Sequence, residues 1–350
     1  MSKRIVFCAD GTWDSPASDT NVCRLYQALI STPDQVAFYD PGVGTGGDIL
    51  KSLIGGAFGE GLFRKIKDGY VQIAHVYEKG DEIFIFGFSR GAYTARSLAG
   101  MIAVCGLPTR NFDGKLSDLA FQAYRDKDDR PMLLEDMNAT YAMDQAGIQM
   151  LGVWDTVGAL GIPAVIGGVD PILYGFLDTS LHPDVRHAYH AVSIDERRCE
   201  FPATLWSSPP AAGQVMEQVY FCGVHESVGG GGKNPGLPGV TLAWMMNKAA
   251  ALGLQFQPAV AAQLADEVDP KHALDAYADS WHVWWGFPNL REIDDRATLS
   301  NSVVLRCQHD PSYRPRNLKR DANGAPAAVY KVVNIVGAPS QAAAAAGSKA

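Results

Sequence analysis

Short apolar runs alternate along the chain with longer segments whose apolar residues recur at helical spacing. The runs that predict strands are Ile5–Cys8, Gln35–Tyr39, Ile83–Phe86, Ile148–Trp154, Ala188–Ile194 and Val219–Val224. The segments that predict helices are Asn21–Ser31, Gly55–Tyr77, Ala92–Val104 and Val240–Gly253. Because the strands are continuous apolar runs rather than alternating ones, both of their faces should be covered. The pattern therefore predicts an α/β fold with a mostly parallel central sheet and helices on both faces.

Two segments interrupt this alternation. Residues 106–146 are polar and irregular in pattern, and residues 254–330 are rich in loop-forming residues. We interpret both as cap-like insertions around the sheet that build the walls of a cleft. The whole of 1–337 then forms one domain, and the alanine-rich stretch 338–350 is a low-complexity tail.

The second insertion carries a cluster of aromatic residues: Trp281, Trp284, Trp285 and Phe287. Aromatic rings offer a large apolar area at little conformational cost, which suits the binding of an acyl chain. The three tryptophans are therefore candidate substrate-binding residues. An equal alternative is that these rings pack an irregular subdomain onto the sheet.

Composition and charge narrow the classes of function. The chain has 350 residues, 47% hydrophobic and 19% charged, with a formal net charge of −8. This suits a soluble enzyme and disfavours a nucleic-acid-binding protein, which needs a basic face to neutralise phosphates. The first apolar run ends at Cys8, too early for a signal-peptide core, and no stretch reaches the roughly 18 apolar residues of a membrane span.

The six cysteines also bear on where the protein works. They form no C-x-x-C pair, and several lie within apolar runs, which favours buried thiols over disulfides and predicts a cytoplasmic location. Export by a route that needs no signal peptide stays open.

A serine stands between a predicted strand and a predicted helix. The stretch 83–96 reads IFIFGFSRGAYTAR, which places Ser89 at the centre of a Gly-x-Ser-x-Gly pentapeptide flanked by Gly87 and Gly91. In a nucleophile elbow the serine occupies a strained turn, and both glycines are required because a side chain there would collide with the neighbouring backbone. The context predicts that Ser89 is a nucleophile. The alternative is an ordinary turn with a surface serine.

A nucleophilic serine requires a histidine base and a carboxylate that orients the base. His225 follows the apolar run VYFCGV and opens a glycine-rich loop, so it is the favoured base. His182, His187 and His190 form a second cluster, but their spacing matches no zinc motif. We expect no metal and no cofactor.

Two aspartates compete for the orienting role. Asp155 ends the run IQMLGVW and has small and apolar neighbours, whereas Asp195 ends the run AVSI and is followed by arginines that could hold it in an ion pair. A carboxylate without a local cation needs a distant partner, and a histidine is one. We therefore favour Asp155 and keep Asp195 as the alternative.

Acyl transfer also needs hydrogen-bond donors for the oxyanion. The backbone N–H of Arg90, directly after the serine, is the first candidate, and the second should come from a loop after an early strand. The first strand leads into Ala9-Asp10-Gly11-Thr12, so Gly11 or Thr12 is the second candidate. The alternative is a simple Asp-Gly turn.

Taken together, several blocks resemble the type VI secretion phospholipase-effector-like family of α/β hydrolases. They are FCADGTWD, TNVCRLY, YDPGVGT, GDEIFIFGFSRGAYTARSLAG, GVWDTVGALG, HAVSIDERR with FPATLW, and GVHESVGGG with LAWM. The blocks cover about residues 4–250, and Ser89, Asp155 and His225 match the family's triad. The family's histidine block usually reads His-Ser-Asp-Val-Gly-Gly-Gly, whereas this chain has Glu226-Ser227 after the histidine, so no role is carried over to that carboxylate.

The resemblance implies an α/β-hydrolase-like fold and a serine hydrolase of the lipase, esterase or phospholipase type. An ester or lipid is then the expected substrate, with transient contact to a membrane and no nucleic-acid partner. Nucleotide binding is disfavoured, because Gly42-Val43-Gly44-Thr45-Gly46-Gly47 lacks the Gly-Lys-Ser/Thr of a P-loop. The alternative function is a non-catalytic α/β protein that binds a partner.

Overall fold

An eight-stranded parallel sheet forms the centre of the protein. In this computed structural model the described residues are 2–11, 19–42, 57–157, 180–282 and 287–337. The sheet contains β1 (Arg4–Ala9), β2 (Gln35–Asp40), β3 (Glu82–Phe88), β6 (Ile148–Trp154), β7 (Val185–Ser193), β8 (Val215–Phe221), β9 (Thr298–Ser300) and β10 (Lys331–Val333). Their spatial order is β10-β9-β8-β7-β6-β3-β1-β2, and a short antiparallel pair joins β4 (Leu107–Pro108) to β5 (Met143–Asp144).

Helices cover both faces of this sheet. They are α1 (Asn21–Ala28), α2 (Ala57–Val76), α3 (Arg90–Cys105), α4 (Lys115–Arg125), α5 (Arg130–Tyr141), α6 (His225–Gly229), α7 (Gly236–Ala251), α8 (Pro258–Glu267) and α9 (Asn301–His309), with a 3-10 turn at Pro270–Leu274. Successive strand residues point to opposite faces. In β1, Ile5 and Phe7 pack with α2 and α3, whereas Val6 and Cys8 pack with α1 and α7. The predicted parallel α/β fold with two covered faces is confirmed.

Parts of the predicted insertions have regular structure. The segment 106–146, interpreted as irregular, contains the two helices α4 and α5, and α4 buries Leu116, Ala120 and Phe121 on one side. The segment 254–330 contains β9, which pairs with β8 and extends the main sheet. The sequence showed no regular pattern in these parts, because the many charges between the two helices obscure their helical apolar spacing and β9 is too short to give one. That both segments are insertions stays a prediction.

The parallel direction of the strands gathers the candidate site at one edge. Ser89 follows β3, Asp155 follows the neighbouring β6, and His225 lies just beyond β8. All these strands end at the same edge, which is where sites form on open α/β sheets. The sheet order therefore explains how residues that are far apart in sequence meet.

Candidate active site

Ser89 occupies a strained turn between β3 and α3. Its backbone has φ +58° and ψ −123°, a left-handed region that a serine rarely adopts. Its N–H donates to the carbonyl oxygen of Trp154 at 3.1 Å, which ties the turn to the end of β6. Such strain persists only where the surrounding structure enforces it, and it occurs at functional sites.

Close backbone packing explains the glycines on either side of the serine. A Cβ at Gly91 would meet the carbonyl oxygens of Ala9 and Asp10, and a Cβ at Gly87 would meet the carbonyl oxygen of Gly91. The turn can therefore form only with glycine at these positions. It places Ser89 at the N-terminus of a sixteen-residue helix, whose dipole stabilises developing negative charge.

The His225 side chain is buried beside this turn. The ring of Phe88, the residue before Ser89, lies 4.6 Å from the imidazole, and the ring of Phe201 meets it edge-on at 5.1 Å. The backbone N–H of His225 donates to the carboxylate of Glu196 at 3.2 Å. Aromatic rings on two sides and a fixed backbone leave the imidazole little freedom to rotate.

Asp155 provides the partner of the histidine. Its Oδ2 lies 2.6 Å from His225 Nδ1, and the carboxylate is fully buried. Asp155 also has a positive φ of 39°, and its Oδ1 accepts the backbone N–H of Ser193 at 2.9 Å. If Nδ1 carries the proton, it donates to Asp155 and leaves Nε2 unprotonated.

Arg291 completes this buried cluster and was missed by the sequence analysis. Its Nη1 donates to Asp155 Oδ1 at 2.6 Å and its Nη2 donates to Asp155 Oδ2 at 2.9 Å. The same two nitrogens also donate to the carbonyl oxygens of Ser193 and Phe201. Arg291 lies in an irregular stretch after the aromatic cluster, so neither periodicity nor a motif marks it.

The charge balance keeps Asp155 ionised. Burial alone would raise the pKa of its carboxyl group, but the Arg291 charge and the hydrogen bonds from His225 and Arg291 outweigh that effect. The pKa of Asp155 therefore lies well below its usual range. The carboxylate is available at any working pH to hold an imidazole.

Asp195 has a different environment. Its Oδ2 accepts the backbone N–H of Gly223 and the hydroxyl groups of Tyr277 and Tyr313, at 2.6, 3.0 and 2.9 Å. Burial raises the pKa of Asp195, and the two arginines that follow it pair with other carboxylates, Arg197 with Asp279 and Arg198 with Glu196. The structure thus places Asp155, and not Asp195, against His225.

The predicted oxyanion donors have different surroundings. Arg90 is the first residue of α3, so its N–H lies at the positive end of the helix, and its role as an oxyanion donor stays a prediction. The N–H of Gly11 instead donates to Asp10 Oδ1 at 2.8 Å, while Thr20 and Tyr39 donate to Asp10 Oδ2, each at 2.6 Å. Gly11 is therefore engaged by a buried carboxylate. Thr12 lies outside the described residues.

Comparison with known proteins identifies the family of this chain. A family model described as the catalytic domain of Tle1-like type VI secretion phospholipase effectors matches residues 3–248. The chain belongs to this family. It is also 31% identical over 245 residues to an uncharacterized protein of Saccharomyces cerevisiae, a match that covers 62% of this chain and 35% of that protein.

Two solved structures are similar at lower identity. An uncharacterized protein from Pseudomonas aeruginosa is 19% identical with a TM-score of 0.44, over 73% of this chain and 46% of that one. A Tle1 effector bound to the VgrG spike of the type VI secretion system is 17% identical with a TM-score of 0.37, over 66% of this chain and 51% of that one. The chain thus spans about a third of the curated relative and about half of each solved chain.

The remaining Glu and His residues near the site have structural partners. Glu226, the displaced acidic residue of the histidine block, lies 3.4 Å from the guanidinium of Arg198. His190 is fully buried in β7, where its Nε2 accepts the backbone N–H of Thr156 at 3.1 Å. Among the described residues no cluster of His, Cys, Asp or Glu could hold a metal ion.

The aromatic cluster of 281–287 is only partly described. Trp281 is half-buried, with the guanidinium of Arg197 lying 5.7 Å from its ring, and Phe287 is 93% exposed. Trp284 and Trp285 lie outside the described residues. Their predicted role in substrate binding stays a prediction.

The sequence predicted buried thiols and no membrane-spanning segment. No disulfide joins any of the six cysteines, which all lie in the described part of the chain, and all but Cys199 are buried. Within the part of the chain that the structure describes, no helix has the length and apolarity to cross a membrane.

Proposed function

We propose that this protein hydrolyses carboxylic esters of lipids, with Ser89 as nucleophile, His225 as general base and Asp155 as the residue that orients the base. One observation carries the proposal: the 2.6 Å hydrogen bond between Asp155 and His225, beside the strained turn that holds Ser89. Strain, a buried acid–histidine pair and close glycine packing together are the features expected of a nucleophile elbow.

The geometry supports the following course of reaction. Asp155 holds the Nδ1 proton of His225, so Nε2 is the nitrogen that accepts the Ser89 proton as the hydroxyl attacks the ester carbonyl. The negative charge on the carbonyl oxygen develops at the N-terminus of α3, where the Arg90 N–H donates to it. His225 then protonates the leaving alcohol, and water hydrolyses the acyl-enzyme by the same steps.

The backbone N–H of Thr12 is the candidate second donor in this mechanism. The N–H of Gly11 already donates to Asp10, so a role for Gly11 in the oxyanion hole would require that hydrogen bond to break. Asp10 then has a supporting role, because it fixes the start of the loop that leads to Thr12. No cofactor takes part in these steps.

The family membership supports a phospholipid as the substrate class. The matching family model is that of the catalytic domain of phospholipase effectors. An acyl ester bond of a phospholipid has the carbonyl that this site would attack. Simple esters and other lipids are further candidates within the same chemistry.

The test measures hydrolysis of p-nitrophenyl esters of increasing chain length and fatty-acid release from phospholipid vesicles. Ser89→Ala should lower kcat by about 10⁴-fold to 10⁶-fold while the protein stays folded. Ser97→Ala is the matched control, because Ser97 is buried on the same helix and its hydroxyl has no hydrogen-bond partner among the described residues. An unchanged rate in a folded Ser89→Ala protein would favour the alternative, a non-catalytic protein that binds a partner.

A further inference from the structure

Arg291 donates hydrogen bonds to the carboxylate of Asp155 from both Nη nitrogens of its guanidinium group. The two contacts of 2.6 and 2.9 Å form a bidentate pair in which each Asp155 oxygen accepts one Nη group. The pair is buried, with Asp155 fully covered and Arg291 8% exposed. Asp155 therefore contacts the Arg291 cation and the His225 imidazole at the same time.

Orientation alone does not require this cation. Asp155 Oδ1 already accepts the Ser193 N–H, and Oδ2 already contacts His225 Nδ1, so the carboxylate is fixed at both oxygens without Arg291. A positive charge adds a different effect. It offsets the negative charge of Asp155, which would otherwise stabilise a proton on the imidazole.

We propose that Arg291 is a positioning residue that acts through Asp155 and lowers the pH at which the Asp155–His225 pair releases its proton. The inference rests on the proposed function, in which His225 must be unprotonated to accept the serine proton. Arg291 thereby keeps the base available under mildly acidic conditions. It also fixes Phe201, whose ring meets the imidazole, through the Phe201 carbonyl oxygen.

The other charged groups around the pair are already balanced. Glu196, which accepts the His225 N–H, forms a 2.9 Å ion pair with Arg198. Burial lowers the pKa of His190, the other histidine near Asp155, to about 3, so that ring is neutral. Among the described residues, Arg291 is thus the cation in direct contact with the Asp155 carboxylate, so its removal should change the proton affinity of the pair.

The experiment compares the acidic limb of the kcat/KM profile in three variants. Arg291→Gln retains hydrogen-bonding capacity without charge and should move the limb upward by about one pH unit. Arg291→Lys retains the charge but lacks the two nitrogens that form the bidentate contact. It should move the acidic limb by about a few tenths of a pH unit and lower kcat. Guanidinium added to Arg291→Ala should return the limb toward that of the wild type, whereas the same concentration of potassium should not.

Arg306→Gln is the matched control, because Arg306 is equally buried but donates to the carbonyl oxygens of Ala273 and Asp275. Its loss should lower stability and leave the acidic limb in place. If Arg291→Gln lowers the rate equally at every pH, as a structural defect would, the proposal is overturned. Should that variant fail to fold, an acidic limb that stays at the wild-type pH in Arg291→Ala without added guanidinium overturns it as well.

A titration of the imidazole by NMR separates this inference from the proposed function. The midpoint for His225 in the wild type and in Arg291→Gln requires no substrate and should differ by about one pH unit. If the wild type hydrolyses no ester but the midpoint moves, the proposed function fails and the electrostatic role of Arg291 stands. If esters are hydrolysed but the midpoint does not move, the role of Arg291 fails alone.

Discussion

The backbone N–H of Ser89 donates to the carbonyl oxygen of Trp154, the residue directly before Asp155. The strained serine turn and the strained aspartate are therefore joined across two neighbouring strands by one hydrogen bond. A shift of β6 relative to β3 would strain this bond and change the position of the proposed nucleophile relative to the proposed acid. Both residues have unfavourable positive φ values, 58° and 39°, and the bond is one of the contacts that hold them there.

Substitution of Asp155 and of Asp195 tests which of the two aspartates orients His225. Asp155→Asn should lower kcat by about 10³-fold to 10⁴-fold, because the amide no longer accepts the Nδ1 proton and the wrong tautomer is favoured. Asp195→Asn should stay within about tenfold of the wild type, since its partners are a backbone N–H and two tyrosine hydroxyls. Ester hydrolysis by the two purified variants decides between them. A larger loss in Asp195→Asn would reverse the assignment.

The buried histidine of β7 should make stability sensitive to acid. The pKa of His190 is lowered by burial to about 3, while the unfolded chain has an ordinary histidine. The unfolded state therefore binds the extra proton first, and stability falls as the pH drops from about 6.5 toward 3. Between pH 6.5 and pH 5 this loss should be about 2 kcal/mol.

Urea unfolding of the wild type and of His190→Gln at both pH values measures this loss. The variant should show a flatter dependence of unfolding free energy on pH, whatever its absolute stability. Parallel pH dependences in the two proteins would mean that another group causes the acid sensitivity.

The serine turn should not accept a methyl group. Gly91→Ala should lower the free energy of unfolding by about 2 kcal/mol or more and reduce activity, because its Cβ meets the carbonyl oxygens of Ala9 and Asp10. Gly114→Ala is the control, since a Cβ there meets nothing within 4 Å. Thermal melts and rates of both variants provide the comparison, and a Gly91→Ala protein as stable and active as the control would contradict the packing.

The aromatic cluster is tested by chain-length selectivity. If Trp281, Trp284 or Trp285 lines the acyl site, its replacement by alanine should raise KM for long-chain esters much more than for acetate esters. Phe287→Ala is measured for comparison, because that ring is 93% exposed and its loss should leave stability unchanged. Equal effects on short and long substrates, or effects on melting temperature alone, would assign the rings to packing.

The features that the sequence predicted are those with a local cause. The turn at Ser89 follows from two glycines between an apolar strand and a helix, and Asp155 was favoured because its neighbours offer no cation. Arg291 escaped prediction because its contact with Asp155 joins residues 136 positions apart, and nothing in its own surroundings indicates it. The bond from Gly11 to Asp10 likewise depends on backbone directions that residue types do not reveal.

Reaction with a fluorophosphonate tests whether Ser89 is an activated nucleophile, because such a reagent bonds to an activated serine and not to an ordinary one. The purified protein is incubated with the reagent, and the adduct is located by intact mass and peptide mapping while the loss of esterase activity is followed. We expect one adduct, on Ser89, that forms in parallel with inactivation and is absent from Ser89→Ala. A folded wild type that stays unlabelled, or that is inactivated by an adduct elsewhere, would contradict it.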